Sequence, residues 1–476
     1  MAFRILTQIN YSAGENPEGD SGLHFTAGLL HSLVRLDSDF HFYVLIPMKD
    51  KDVWVNALSH PQITPIAIDI APRLHGGDFQ FNPTQLYKNF DSRRFDIDLL
   101  FINQPETAPA FLHFFNKEMF YNVPAVSYVH WFDTRGPHRP KQTVNRPVLL
   151  GALSGMMVSS AVGCNSIYGR DQILQYAGHW FNEEAINSLK QRFRILPPAV
   201  DVAEVECGRM NQNRRQSNRI IVNHRLLMYT GVRTLLTKAL PELWKRRQDF
   251  SVLVTNPSHV RLPGAITNVP WLTVGELSRE SYFRKLWESD IVVAPHRATH
   301  WSISTLEALC AECVPLMSKE SFFGEMIGPL ITGMSAQEKK HIEARWFFYR
   351  GSIVNRLSEL LDNLDEERNI VRRVAERTRC TYDWKVCAQA WRQVFREAEL
   401  ESPIISMENP SMRRIIELLK QEGTMSKNEI LRRLGWSPKQ RTLSWTAFRR
   451  RLNSIAPDDS TSADVVFKFR TDSNAA

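Results

Sequence analysis

The sequence predicts an α/β protein made of two Rossmann-like, doubly wound arrays followed by a small basic unit. Three observations lead there. Through the first 200 residues short apolar, β-rich runs alternate with helix-like segments, the pattern of a parallel sheet covered on both faces. A polar stretch at 203–218, ending Asn211-Gln212-Asn213-Arg214-Arg215-Gln216-Ser217-Asn218, reads as a linker, and the alternation then restarts. Past Pro403 the character changes: residues 411–453 hold 11 Lys/Arg against three acids, so the whole net charge of +8 sits in one segment. At roughly 100–200 residues per domain, 476 residues fit about three. These are 1–202 (with 380–401 crossing back to it), 203–379, and 403–470.

The elements follow in order. Arg4–Ile9 reads as a strand, then comes a Gly/Ser/Asn loop from Ser12 to Gly22, then a helix through Leu36. Phe42–Ile46, Ile97–Ile102, Ala125–Val129, Gly155–Cys164 and Arg194–Leu196 are further strand-like runs, and 68–90 reads as an irregular insertion. The second array runs through strand 220–222, a helix over 235–246, and strands 252–255 and 272–274. It continues with helix 279–288, strand 291–294, helix 303–312 and strand 314–317, and an amphipathic stretch over 353–400 closes it. Two such arrays suggest domains facing across a cleft, with ligands outside the carboxyl ends of the strands.

Composition narrows the class. Hydrophobic residues make up 43% and aromatics 10%, enough for sizeable cores. Six irregularly spaced cysteines do not form a disulfide framework, which points to a reducing, cytoplasmic setting. The start of the chain lacks the features of a signal peptide. The uncharged stretch 147–169 is broken by Gly151, Ser154, Gly155, Ser159, Ser160 and Asn165, so it reads as a buried helix running into a buried strand rather than a membrane span. No membrane partner is expected. Cys310-x-x-Cys313 has no second Cys/His pair at zinc spacing, so no metal site is expected either.

Several segments of the second array resemble retaining nucleotide-sugar glycosyltransferases of the GT-B fold. Leu196-Pro197-Pro198-Ala199-Val200-Asp201 is similar to that family's crossover into the donor domain, and Ile220 to Arg225 to its strand and Arg-bearing loop. Ser289-Asp290-Ile291-Val292-Val293-Ala294-Pro295 resembles its A-D-V-x-V-x-P strand, and Trp301 to Leu309 its segment ending in Glu-Ala. Val314-Pro315-Leu316 resembles the strand that follows, and Tyr382-Asp383-Trp384 the segment crossing back.

The resemblance implies roles. Arg225 would hold the diphosphate and Glu307 the ribose hydroxyls, with Gly22 letting the backbone approach from the other domain and His130 lying near the donor sugar. Asn223, Ser302, Ile303 and Ser304 would complete the donor site. A guanidinium and helix N-termini suit a leaving group whose negative charge grows as the glycosidic bond breaks. The resemblance implies no cofactor beyond a UDP- or GDP-sugar donor substrate, and no metal. Two positions depart from the pattern: Thr230 stands where the family commonly has Lys, and Thr299 where it has a first Glu. Lys238 and His300 are the residues positioned to compensate. Each residue also has a plain structural reading: Arg225 in a surface ion pair, Glu307 complementing a helix N-terminus, and His130 as a hydrogen-bonded core histidine.

In the tail, 411–422 has helical spacing and Ser426 with Glu429 reads as a capping box opening a helix over 427–434. A third helix is expected over 442–454 and a strand over 465–469. This resembles a winged-helix domain, with Arg441, Arg449, Arg450 and Arg451 facing DNA phosphates. The same spacing also suits a protein-interaction winged helix or a solvated helical bundle. A sugar-transfer module joined to a DNA-reading module resembles the bacteriophage enzymes that glycosylate 5-hydroxymethylpyrimidines, with double-stranded DNA as acceptor and protein acting in the bacterial host. Three alternatives stay open: a queuosine-type tRNA-base glycosyltransferase, which the Asn223-His224-Arg225 triplet also resembles; a carbohydrate glycosyltransferase; and a non-catalytic, sugar-nucleotide-sensing DNA-binding regulator.

Overall fold

A computed structural model describes residues 2–9, 21–49, 51–69, 97–118, 123–132, 146–209, 218–224, 231–255, 264–266, 268–275, 277–296, 299–349 and 351–401, with short pieces between 418 and 469. The expected insertion at 68–90 falls almost wholly outside these residues, as do Arg225, Thr230, Arg441, Arg449, Arg450 and Arg451.

The first sheet contains seven parallel strands: β1 (Phe3–Gln8), β2 (Phe40–Pro47), β3 (Ile63–Ile68), β4 (Leu99–Ile102), β5 (Ala125–Val129), β6 (Ala161–Cys164) and β7 (Phe193–Ile195), in the order β3-β2-β1-β4-β5-β6-β7. The second contains β8 (Arg219–Val222), β9 (Ser251–Thr255), β10 (Leu272–Gly275), β11 (Ile291–Ala294), β12 (Val314–Ser318) and β13 (Phe347–Phe348), in the order β10-β9-β8-β11-β12-β13. Both orders are Rossmann-like. They reverse between β1 and β4 in one sheet and between β8 and β11 in the other.

Burial explains why the central strands read as unbroken apolar runs. Every residue of β4, β5, β6, β11 and β12 is buried, as expected of parallel strands covered on both faces. In the first sheet Ile5, Leu99 and Phe101 pack on one side, and Leu6, Leu100 and Ile102 on the other. At the edge, β3 is only half-buried and carries Pro65, which an edge strand tolerates because its amide need not join a ladder. That proline breaks the apolar pattern, and β3 is absent from the sequence expectation for this reason. β13, two residues long, is absent from it too.

Several boundaries are corrected. Ser21 and Gly22 open the first helix, Ser21–Leu36, rather than ending a loop. Gly155–Val158 belongs to the helix Arg146–Val158, and only Ala161–Cys164 is strand. Residues 203–207 lie in the helix Val202–Cys207, capped by Asp201 through the Glu204 amide, rather than in a linker. The helix expected over 235–246 includes a π-helical turn, Leu235–Ala239. The stretch over 353–400 is three helices, Ile353–Asp362, Leu364–Thr381 and Trp384–Glu401.

The helix Trp384–Glu401 packs back on the first sheet. Trp391 and Phe395 contact Phe101, while Phe25 stacks on Tyr128 at 5.0 Å and meets Trp384 edge-on at 5.5 Å. The two crossings meet where the Val200 amide donates to the Tyr382 carbonyl (2.8 Å) and Val200 bridges to Asp383. In the tail, β14 (Thr424–Ser426), β15 (Leu452–Ile455) and β16 (Val466–Phe469) form an antiparallel sheet in the order β14-β16-β15. Ser426 therefore ends a strand, residues 429, 432 and 433 are helical as expected within 427–434, and 452–454 is strand rather than helix. The Glu429 carboxylate takes the guanidiniums of Arg432 (2.6 and 2.7 Å) and Arg433 (2.9 Å). Among the described residues no helix is long and apolar enough to cross a membrane.

Candidate functional site

Open parallel sheets bind ligands outside the carboxyl ends of their strands, where the strand order reverses. In the second sheet that point is flanked by Asn223 and His224 after β8, and by Pro295 and His296 after β11. Asn223 Nδ2 donates to the Ser304 carbonyl at 2.7 Å and to the Tyr282 hydroxyl at 3.0 Å. The Tyr282 hydroxyl in turn donates to Glu307 Oε2 at 2.8 Å, while Arg279 donates to Oε1 at 3.2 Å. His224 Nδ1 lies 2.8 Å from Ser304 Oγ, and its ring meets that of His296 edge-on at 3.9 Å. One polar network thus runs from the helix Arg279–Trp287 to the two loops.

The helix Ile303–Cys310 and its N-cap carry four of the residues singled out in the sequence. Ser302 is its N-cap, accepting from the Thr305 amide and lying 2.7 Å from Thr305 Oγ1. Ile303 and Ser304 form the first turn, and Glu307 faces inward, 5% exposed. Burial pushes the Glu307 carboxyl above its ordinary value, against the pull of Arg279 and the Tyr282 hydroxyl. Burial also lowers His296 to about 4, and takes His224, which has His296 beside it, well below the ordinary histidine value. Both imidazoles are therefore neutral at pH 7.

Asn223 Oδ1, His224 Nε2, His296 Nδ1 and Thr299 Oγ1 are buried without a hydrogen-bond partner among the described residues. Buried polar atoms are nearly always paired, and these four exceptions lie together around the second sheet's switch point.

The first sheet supplies the opposite wall. His130 follows β5, and its Nε2 lies 3.0 Å from Asn103 Oδ1 after β4. Gly22, also buried, sits in the first turn of the helix after β1. A cavity of about 400 Å³ lies between Gly28 and Arg35 of the first helix and Arg279, Ile303 and Glu307; His130, Gly22, Asn223, His224, His296 and Thr299 are not part of its lining.

Segment 299–301 joins the two domains. Ser166 Oγ donates to the His300 carbonyl at 2.8 Å, the His300 ring packs close over Gly169, and Trp301 Nε1 donates to the Pro198 carbonyl at 3.2 Å. Lys238 is exposed on the π-helical turn, and among the described residues nothing joins it to the network. Among the described residues no group of three His, Cys, Asp or Glu is placed to hold a metal ion, and Cys310 and Cys313 are both core residues.

The fold is GT-B. Among similar solved structures, sucrose-phosphate synthase from Thermosynechococcus elongatus has a TM-score of 0.62 at 13% identity, covering 83% of this chain and 98% of that one. A glycosyltransferase from Rickettsia africae ESF-5 has 0.60 at 11%, covering 84% and 100%. An E. coli structure described as trehalose-6-phosphate bound with UDP-2-fluoro glucose has 0.55 at 11%, covering 83% and 99%. At such identities the likeness is one of fold. No family model and no curated protein matches the chain.

Asn103, Arg279, Tyr282 and His296 join the site without having been singled out in the sequence. For Asn103 and His296 a signal existed, a polar residue just past a parallel strand at the switch point. For Arg279 and Tyr282 there was none, since their helix reads as an ordinary amphipathic one.

Proposed function

We propose that this chain is a retaining glycosyltransferase that moves a sugar from a nucleotide-diphosphate sugar onto a hydroxymethylated base of DNA. The observation that carries the donor half is the group of unpaired buried polar atoms beside Glu307 at the second sheet's switch point. A bound nucleotide would supply the missing partners: hydroxyls and phosphate oxygens for Asn223, His224, His296 and Thr299, with Arg225 neutralising the diphosphate. The similar E. coli structure with UDP-2-fluoro glucose makes UDP-glucose the first donor to test.

Transfer follows from that placement. The acceptor hydroxyl attacks the anomeric carbon from the face that the diphosphate leaves, its oxygen forming the new bond as the sugar–phosphate bond breaks. A leaving phosphate oxygen takes its proton, and configuration is retained. Donors preorganised in a dry cleft stabilise the developing charge without reorganising. A duplex base would have to flip out of the stack, at a cost of about a few kcal/mol.

Two features support the DNA half. The net charge is confined to the tail, and the tail's sheet has the strand order of a winged helix. Its first strand, β14, lies between helical residues 418, 421 and 422 and helical residues 429, 432 and 433, and pairs with the last strand, β16. A second reading, a free sugar or sugar phosphate as acceptor, is favoured by the similarity to sucrose-phosphate synthase. The test is to incubate the full chain with 5-hydroxymethylcytosine or 5-hydroxymethyluracil duplexes and UDP- or GDP-sugars, then weigh the nucleosides by mass spectrometry. A hexose or pentose mass gain that disappears in Glu307→Gln establishes the activity. No gain on DNA, with transfer to glucose 6-phosphate or fructose 6-phosphate instead, moves the acceptor to the second reading.

A further inference from the structure

Beside the two chain crossings, a second set of contacts ties the helix after β6 to the second domain. The first amides of that helix, Ile167–Ala177, have no partner within it. Ser166 Oγ accepts from the Gly169 amide at 3.0 Å. The Ile167 and Tyr168 amides donate instead to the two carboxylate oxygens of Glu325, at 2.6 and 3.0 Å, across 158 and 157 positions of sequence. Glu325 belongs to the helix Phe323–Ile331 of the second domain. A carboxylate that meets amides at a helix N-terminus is held both by charge-assisted hydrogen bonds and by the helix dipole.

Neighbouring residues join the same two domains. Tyr168 packs against the core of the second domain. Ser166 Oγ donates to the His300 carbonyl, and the His300 ring closes over Gly169, where a Cβ would lie 3.0 Å from the ring's Cγ. Trp301, bonded to the Pro198 carbonyl, stacks on Phe322 at 5.7 Å. One residue past Glu325, the Met326 carbonyl accepts from the Tyr382 hydroxyl at 3.0 Å. The helix that carries the carboxylate is thereby fixed on the crossing as well. Chain crossings alone leave two domains free to turn about a hinge; the contacts of 166–169 with 300 and 325 oppose that turn.

We propose that Glu325 latches the two domains at one angle, so that segment 299–302, with Thr299 and the N-cap Ser302, is set before any ligand arrives. The latch holds whatever the site binds.

Distances between spin labels read the angle directly. The full chain carries one label at Asp52→Cys in the first domain and one at Lys245→Cys in the second, both exposed positions, with the exposed Cys207 and Cys380 replaced by Cys207→Ser and Cys380→Ser. One narrow distance distribution is expected. Glu325→Lys sets a positive charge against the helix N-terminus and should add a second, displaced population. Glu325→Gln, which keeps an accepting oxygen without the charge, should add a smaller one. An unchanged far-UV circular dichroism spectrum shows that both sheets remain folded in each variant; where Glu325→Lys does not fold, Glu325→Ala takes its place in the same measurement. Two populations with Glu325 intact, or a single unchanged population once its carboxylate is removed, overturn the proposal.

Discussion

At Glu307 two forces oppose each other: burial disfavours the carboxylate, while Arg279 and the Tyr282 hydroxyl hold it. Glu307→Gln keeps the shape and removes the charge. Nucleotide-sugar turnover is expected to fall by roughly 10²-fold or more, in the range of losing a preorganised polar partner, with an unchanged circular dichroism spectrum. The buried histidines set a pH dependence. Because folding lowers the pKa of His224 and His296, the unfolded chain binds more protons below pH 6.5, so their contribution is present above 6.5 and lost as pH falls toward 4. For His296, a change from 6.5 to about 4 corresponds to about 3 kcal/mol. Urea unfolding from pH 7.5 to 4.5 should show this loss, and His296→Gln should reduce it, with His224 and His130 still contributing. Glu307, Asn223 and Ser304 were legible as parts of local motifs. The bonds that make them one site were not, since Asn223 reaches Ser304 across 81 positions and Tyr282 reaches Glu307 across 25.

Among the elements, close approaches decide which substitutions hurt. A Cβ on Gly155 would fall on the Pro105 carbonyl, where the helix Arg146–Val158 crosses the turn after β4. Gly155→Ala is expected to cost about 1–3 kcal/mol, the usual range for overpacking. Gly328, inside the helix Phe323–Ile331, has open space around it. There an alanine should stabilise by about 0.5–1 kcal/mol, the ordinary helix preference over glycine. Chemical denaturation of both variants checks the contrast. Strands with uniform apolar character, such as β5 and β11, were legible to the residue. β3 was hidden by Pro65, which its edge position permits. The tail's helix–strand boundary at 452–454 was hidden because Leu452 suits either the apolar face of a helix or a strand. The helices of the stretch 353–400 were legible as amphipathic, but their separation was not. Asn363 and the Tyr382-Asp383 crossing interrupt them without Gly or Pro.

Across the whole molecule, charge and topology divide the work. Each of the two Rossmann-like sheets has its own switch point, and the basic residues are concentrated in 411–453, past both sheets in the sequence. A chain truncated before Pro403 is expected to keep its UDP-glucose affinity within about twofold while losing most of its DNA affinity, because phosphate neutralisation supplies the sequence-independent part of binding. DNA binding of the full chain should weaken steeply with salt; a truncated chain that binds DNA equally well would remove the tail from this role. The two-array organisation was legible because parallel strands leave long apolar runs, whereas the meeting of the arrays at Val200 and Tyr382 is a tertiary contact without a local signature. The claim on which the rest depends is that the paired switch points hold a nucleotide sugar through Glu307. Isothermal titration of UDP-glucose and GDP-glucose into the full chain and into Glu307→Gln tests it most directly. One site per chain, weakened about tenfold or more in the variant, is the expected result given that each 1.4 kcal/mol is tenfold in affinity. Heat from neither ligand, or binding indifferent to Glu307, would contradict it.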